Sequence, residues 1–250
     1  MKYRIVTIMT LMIAQPSPAQ VKQTESFQQI WTGIFNQTRF SEKFGLWADI
    51  QVRTRDNFAD KFYQSIARAG IIFYMNENCK IIAGYAKMFH YPGDNHKFIT
   101  QPENRLWQMF QWQTKYPKSR IVQGIRLEER YRKKILNDSA LGDGYGFNFR
   151  ARYNFWYDIS LSKKGIVPHS WSVLFNDEIM VNFGKQVVYN YFDQNRFFIG
   201  LKYQLSGSNN IQAGYLNLFQ QSSAGNKYKS IHAARILYYH YFDFRKSKKA

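Results

Sequence analysis

The sequence predicts an all-β fold, an antiparallel transmembrane β-barrel of ten to twelve strands, with twelve favoured. Three observations lead there. Long segments alternate apolar and polar residues. The amino terminus has the layout of an export signal in a chain with a single cysteine. Tight turns alternate with long connections. The clearest segment is "YGFNFRARYNFWYDIS", from Tyr145 to Ser160. Its odd positions read Tyr, Phe, Phe, Ala, Tyr, Phe, Tyr, Ile, and its even positions Gly, Asn, Arg, Arg, Asn, Trp, Asp, Ser. Successive side chains of a strand point to opposite faces. One face is therefore aromatic, with Phe147, Phe149, Tyr153 and Phe155, and the other carries Arg150 and Arg152. A barrel in a membrane would turn the first face to lipid and the second to a wet lumen.

The export signal comes first in the chain. Lys2 and Arg4 precede an apolar run from Ile5 to Ala14, and Ser17-Pro18-Ala19 offers the small residues of a cleavage site after Ala19. That is the order of a secretory signal peptide. Residues 1–19 are expected to be removed, leaving 20–250 as one barrel domain with a short basic C-terminal tail. The apolar run is too short for a spanning helix, which takes roughly 20 residues. No cysteine follows the cleavage site, which argues against a lipoprotein. About 230 residues remain, enough for one all-β barrel or sandwich. Cys79 is the only cysteine, so a core, sheet closure or a membrane must replace disulfides. Aromatic residues make up 18% of the chain while its mean hydropathy is −0.49, a pairing that suits alternating strands. No later run is apolar enough for a transmembrane helix. The formal charge of +18 would suit nucleic acid or an anionic membrane surface. Export argues against nucleic acid and for a lipid bilayer with lipopolysaccharide.

The strands follow in order. Alternating segments are read at 27–38, 44–55, 62–75, 79–90, 104–116, 120–132, 145–158, 171–182, 193–206, 210–220 and 230–244. In the second, Phe44, Leu46, Ala48, Ile50 and Val52 oppose Trp47, Asp49, Gln51, Arg53 and Arg55. In the sixth, Arg120, Arg126, Glu128, Arg130 and Arg132 oppose Ile121, Ile125, Leu127 and Tyr131. In the ninth, Phe197, Ile199, Leu201 and Tyr203 oppose Arg196, Gly200 and Lys202. The fourth segment gives no clear face. Many of the segments reach the 9–11 residues that a tilted membrane strand needs. "SEK", "NEN", "PKS" and "GSNN" read as tight turns, and the stretches 91–104, 134–144 and 183–194 as long loops. Pro92, Pro102, Pro117 and Pro168 are all expected in connections, because proline cannot donate to a ladder. Eleven segments conflict with the even count of bacterial single-chain barrels. The stretch before Trp31 and region 183–192 are where a twelfth strand could lie. A soluble periplasmic sandwich or lipocalin-like binding barrel would also alternate, burying the aromatic face instead.

The stretches "ENRLWQMFQWQ", "IRLEERYR", "FNFRARYNFW", "FNDEIMVN" and "DQNRFFIGLKYQL" occur in an order that resembles an uncharacterised bacterial family, domain of unknown function 2490. The resemblance covers nearly the whole mature chain. It implies an outer-membrane barrel of a Gram-negative, Bacteroidetes-like bacterium, delivered by the barrel-assembly machinery. It implies no activity. The basic tail after Phe244 departs from the aromatic ending usual for such barrels.

No catalytic machinery stands out, and the chain is not expected to be an enzyme. Ser230 and His232 share a strand face and His169 precedes Ser170, but neither pair has an orienting acid in sequence. A lipid-modifying enzyme remains the last of the readings. His90, His96, His169, His232 and His240 have no metal-ligand spacing, and no cofactor is expected. Cys79 reads as an unpaired thiol. The strongest constellation is the charged face formed by Arg126, Glu128, Arg130, Arg150 and Arg152, with Glu178 and Arg196 from neighbouring strands. Pairing centred on the loop after Lys133 puts Glu128 opposite Arg150 to within one pair in either direction, where a carboxylate can be shared by several guanidinium groups. Such a cluster either locks the interior of the barrel or selects small anionic solutes in a narrow channel or binding site. A non-enzymatic surface or scaffold barrel, acting through its long loops, is the alternative.

Overall fold

The computed structural model describes residues 22–55, 57–93 and 96–245. The expected signal peptide and the tail beyond Arg245 lie outside the described residues. Eleven strands make one closed barrel. They are β1 (Gln23–Arg39), β2 (Phe44–Arg55), β3 (Lys61–Tyr74), β4 (Cys79–His90), β5 (Gln101–Lys115), β6 (Ser119–Asn137), β7 (Ala140–Ser160), β8 (Ser170–Phe183), β9 (Phe192–Gln204), β10 (Asn209–Gln221) and β11 (Lys227–Asp243). No helix occurs among the described residues. The alternation located every strand, and it located β2 and β4 to the residue.

The favoured count of twelve gives way to eleven. In an up-and-down barrel with an odd count, the first and last strands run the same way. β1 and β11 accordingly pair in parallel, from Gln23↔Lys227 to Arg39↔Asp243. This ladder closes the sheet and leaves no place for a twelfth strand. The stretch before Trp31 belongs to β1, and residues 184–191 form a loop. Two other expectations change. The long loop read after Lys133 is a hairpin, in which β6 and β7 run on past two register irregularities to a tip at Asp138 and Ser139. The apolar pair Ile135↔Leu141 helps to hold this extension. Pro102 lies inside β5, opposite Phe89. It is the second residue of the strand, close to the first position where proline is tolerated.

The β1–β2, β3–β4, β5–β6, β7–β8 and β9–β10 connections lie on one rim, here the turn rim. The opposite, loop rim carries the β2–β3, β4–β5, β6–β7, β8–β9 and β10–β11 connections. The rims differ less than the sequence suggested, because residues 161–169 make a long connection on the turn rim and the β6–β7 hairpin ends in a tight turn.

One residue parity points inward on each strand, and it resolves the fourth segment. Ile82, Ala86 and Met88 of β4 are buried, while Ile81, Tyr85 and Phe89 are exposed. The outer wall is a belt of exposed apolar side chains, including Ile34 (60%), Ile50 (63%), Ile71 (61%), Leu106, Ile125, Tyr153, Ile199 and Ile236. The interior is less polar than the sequence implied. On the turn-rim side Phe35, Trp47, Ile72, Ile82, Trp107 and Leu237 pack together, and Trp31, Leu174, Phe198, Leu216 and Ile231 form a second cluster.

Two glycine pairs make room for this packing. Gly70 faces Gly84 and Gly200 faces Gly214 across their ladders. A Cβ on Gly84 would stand 2.8 Å from the indole of Trp107, and one on Gly200 would stand 2.5 Å from the ring of Phe198. Those two rings take part of the space, and the backbone oxygens of Ala69 and Ala213 across the ladders stand closer still. Gly84→Ala should therefore cost about 1–3 kcal/mol by overpacking, read as a lower melting temperature. An unchanged melting temperature would mean that neither Trp107 nor the Ala69 carbonyl crowds this position.

Candidate functional site

The inward faces of β4 to β9 carry one connected ionic network. Cross-strand pairing places Glu128 directly opposite Arg150, Arg126 opposite Arg152, and Glu178 opposite Arg196. Glu128 accepts hydrogen bonds from Arg150 Nε at 2.9 Å, Arg152 Nη1 at 2.6 Å and Arg105 Nη1 at 3.3 Å. Arg126 lies 3.8 Å from the same carboxylate, with its guanidinium 4.7 Å from the centre of the Trp107 ring. Arg152 Nε also donates to Glu178 at 3.0 Å, and Arg196 Nη1 approaches Glu178 at 3.4 Å. All seven residues singled out in the sequence thus enter one network. Arg130 does so by another route. It does not bond Glu128 but donates to Glu103 Oε1 at 2.8 Å.

Glu103 was not recognised in the sequence, although it is the second hub. This fully buried carboxylate is shared by His90, Arg105, Arg130 and Arg132. Asp193, bonded by Arg150 Nη1 at 2.8 Å, was also missed. Both lie near strand starts, where alternation is shortest. Their inward parity was the one available signal. Asp49 holds Arg68 at 2.9 Å on β2 and β3, and Lys202 pairs with Asp158 near the turn rim.

Beside this network lies a cavity of about 580 Å³. Its lining includes Gly93, His96, Gln186, Val187, Asn190, Ser222 and Ser223, all from loop-rim connections, so it opens at that rim. Phe35, Trp47 and Trp107 form part of its wall, and the lining continues to Gln111, Val122 and Gly124 toward the turn rim. Eleven arginines line the cavity against three carboxylates, Glu128, Glu178 and Asp193.

The excess charge is concentrated around Trp31. Arg53 and Arg235 flank Trp31 in the two adjoining ladders. The guanidiniums of Arg53 and Arg196 lie 3.7 and 5.2 Å from its ring centre. Arg235 stacks on Phe198 and lies 5.1 Å from Trp156. Arg53 donates to Gln64 at 2.9 Å, but neither Arg53 nor Arg235 meets a carboxylate among the described residues. The Nε atoms of Arg53, Arg196 and Arg235 are buried without a hydrogen-bond partner, as is Arg235 Nη2. A buried charged donor left unpaired is costly, and the same three side chains line the cavity, where an oxyanion would offset their uncompensated charge.

The side chains of His169 and Ser170, and those of His90 and His96, are not brought together. His169 adopts a left-handed backbone conformation (φ 57°) beside Ser170, and Ser170 Oγ donates to the Val167 carbonyl instead. His90 binds Glu103, whereas His96 contacts the Ile99 carbonyl. Among the described residues no group of His, Cys, Asp and Glu could hold a metal ion.

Comparison with known proteins finds a family described as protein of unknown function (DUF2490), matching residues 28–229. No curated protein and no solved structure matches the chain.

Proposed function

The chain belongs to the DUF2490 family of proteins of unknown function, and we propose that it is an outer-membrane barrel whose lumen binds small anionic solutes admitted from the loop rim. The single observation that carries this reading is the arginine excess of the cavity, with buried N–H groups of Arg53, Arg196 and Arg235 unpaired beside it. The membrane assignment is supported by the belt of exposed Ile, Leu, Phe and Tyr around the outer wall, a surface that soluble monomers rarely present so continuously. Strands of 12 to 21 residues are long enough to cross. The short connections then face the periplasm and the loop rim faces outward. A blind site is favoured over an open channel, since Ile72, Ile82 and Ser172 on the turn-rim side are fully buried.

Titrating the detergent-folded barrel with inorganic phosphate by calorimetry tests this. Binding is expected, and Arg53→Gln should weaken it about tenfold, near the low end of what a charged hydrogen bond contributes. A folded barrel that takes up neither phosphate, sulfate nor a small carboxylate would falsify the reading. Reconstituted pores that conduct cations preferentially would also sink it.

A further inference from the structure

Ser230 and His232 lie outside the lumen, on the outward face of β11 near the loop rim, three and five residues from its start at Lys227. In sequence the pair lacks an orienting group, and the barrel register supplies one. Asn217 of β10 stands directly opposite His232, and Tyr215 is the next outward residue on the same strand. The Tyr215 hydroxyl lies 2.5 Å from His232 Nδ1. His232 Nε2 lies 3.4 Å from Ser230 Oγ, and Asn217 Nδ2 approaches that same Oγ at 3.4 Å. The base therefore has the serine on one ring nitrogen and a phenol on the other, with an amide donor beside the nucleophile. This is the spatial order of a nucleophile, a base and a group that orients the base.

We propose that Ser230, His232, Asn217 and Tyr215 form an acyl-ester hydrolase site for glycerophospholipids on the outer wall of the barrel. The proposal rests on the membrane assignment above. In that setting the site stands where β11 emerges from the apolar belt, about 10 Å of strand from its start at 3.3 Å per residue. Membrane esters lie at this boundary between acyl chains and headgroups. The exposed Lys22 and Lys227 stand at the same end of the seam and favour a phosphodiester headgroup.

The chemistry is hydrolysis with water as co-reactant. With its hydrogen on Nδ1 donated to the Tyr215 oxygen, His232 accepts the Ser230 proton at Nε2. Oγ bonds to the ester carbonyl carbon, and the resulting oxyanion is within reach of the Asn217 amide. The carbon–oxygen bond to glycerol breaks, and the leaving alkoxide takes the proton from His232. Water then adds to the acyl-serine, gives a proton to His232, and the fatty acid leaves as Oγ regains that proton. Ser230 and His232 are the catalytic residues; Tyr215 is a positioning residue.

The test uses the full barrel inserted into vesicles of phosphatidylethanolamine and phosphatidylglycerol, with insertion verified by heat-modifiable gel mobility. Wild type should release fatty acid and become labelled on Ser230 by a fluorophosphonate. Ser230→Ala should abolish the label and lower release about a hundredfold or more, as should His232→Asn for release. Tyr215→Phe should lower kcat with KM and vesicle insertion unchanged, a split that a purely structural role would not give. An inserted, heat-modifiable wild type that neither labels nor releases fatty acid overturns the site while leaving the membrane assignment intact. So does a Ser230→Ala barrel with undiminished release. A protein that stays soluble without detergent and does not enter vesicles overturns both.

Discussion

Glu128→Gln should lower the stability of the folded barrel by about 3–5 kcal/mol, the range for removing one partner of a buried ionic group. Glutamine keeps the shape of the side chain but not its charge. Arg105, Arg126, Arg150 and Arg152 all lie within 4 Å of the Glu128 carboxylate. Without it these largely buried guanidiniums repel one another, and Arg126 loses its nearest anion. Arg150 and Arg152 keep Asp193 and Glu178, so the network is expected to loosen locally rather than scatter. Glu129 is the control. It points outward between Leu106 and Phe149, and Glu129→Gln should change stability by no more than about 0.5 kcal/mol. Urea unfolding in detergent reads both. Were Glu129→Gln the damaging change and Glu128→Gln silent, the inward assignment of this face would be wrong.

The second large effect separates a membrane wall from a wet one. Ile50 sits midway along β2, 63% exposed, with Ile34 and Ala67 as its outward cross-strand neighbours. In a bilayer, Ile50→Arg should cost about 2–4 kcal/mol, the value for an arginine at the midplane of a lipid-facing strand. In water the same change would lie within about 0.5 kcal/mol of neutral. Unfolding from lipid vesicles measures the difference, and Tyr153→Arg on β7 should behave alike. Neutral outcomes at both positions would remove the membrane assignment and return the protein to the soluble alternatives.

Much of this architecture was legible because a barrel strand writes one simple rule into sequence. The period of two found all eleven strands. It also placed Glu128 opposite Arg150 to within one pair either way, since matching parity keeps the same faces together at any even shift. Three things escaped for identifiable reasons. The odd count was resisted because nothing local reveals a parallel ladder between residues some two hundred positions apart. Trp31, Trp107 and Phe198 face inward although aromatic density suggests lipid, and the glycine pair that admits Trp107 lies on other strands. Glu103 anchors four cationic or titratable partners drawn from three strands. No spacing along the chain announces such convergence. Tyr215, which the proposed Ser230 site needs beside His232, likewise comes from another strand, β10.

The parallel seam has a consequence for delivery. Since β1 and β11 run in the same direction, Gln23 opens the barrel at the loop rim and Asp243 ends it at the turn rim. With the turn rim toward the periplasm, as proposed, the two ends of the barrel stand in different compartments. An even-stranded barrel can keep both its ends on the side from which it is inserted. This one must thread its leading end across the membrane before the sheet can shut. A leader still attached would have to make that crossing too, so its removal is expected before closure. An epitope placed just ahead of Gln23 and another placed after Asp243 should be reached from opposite faces of the same membrane.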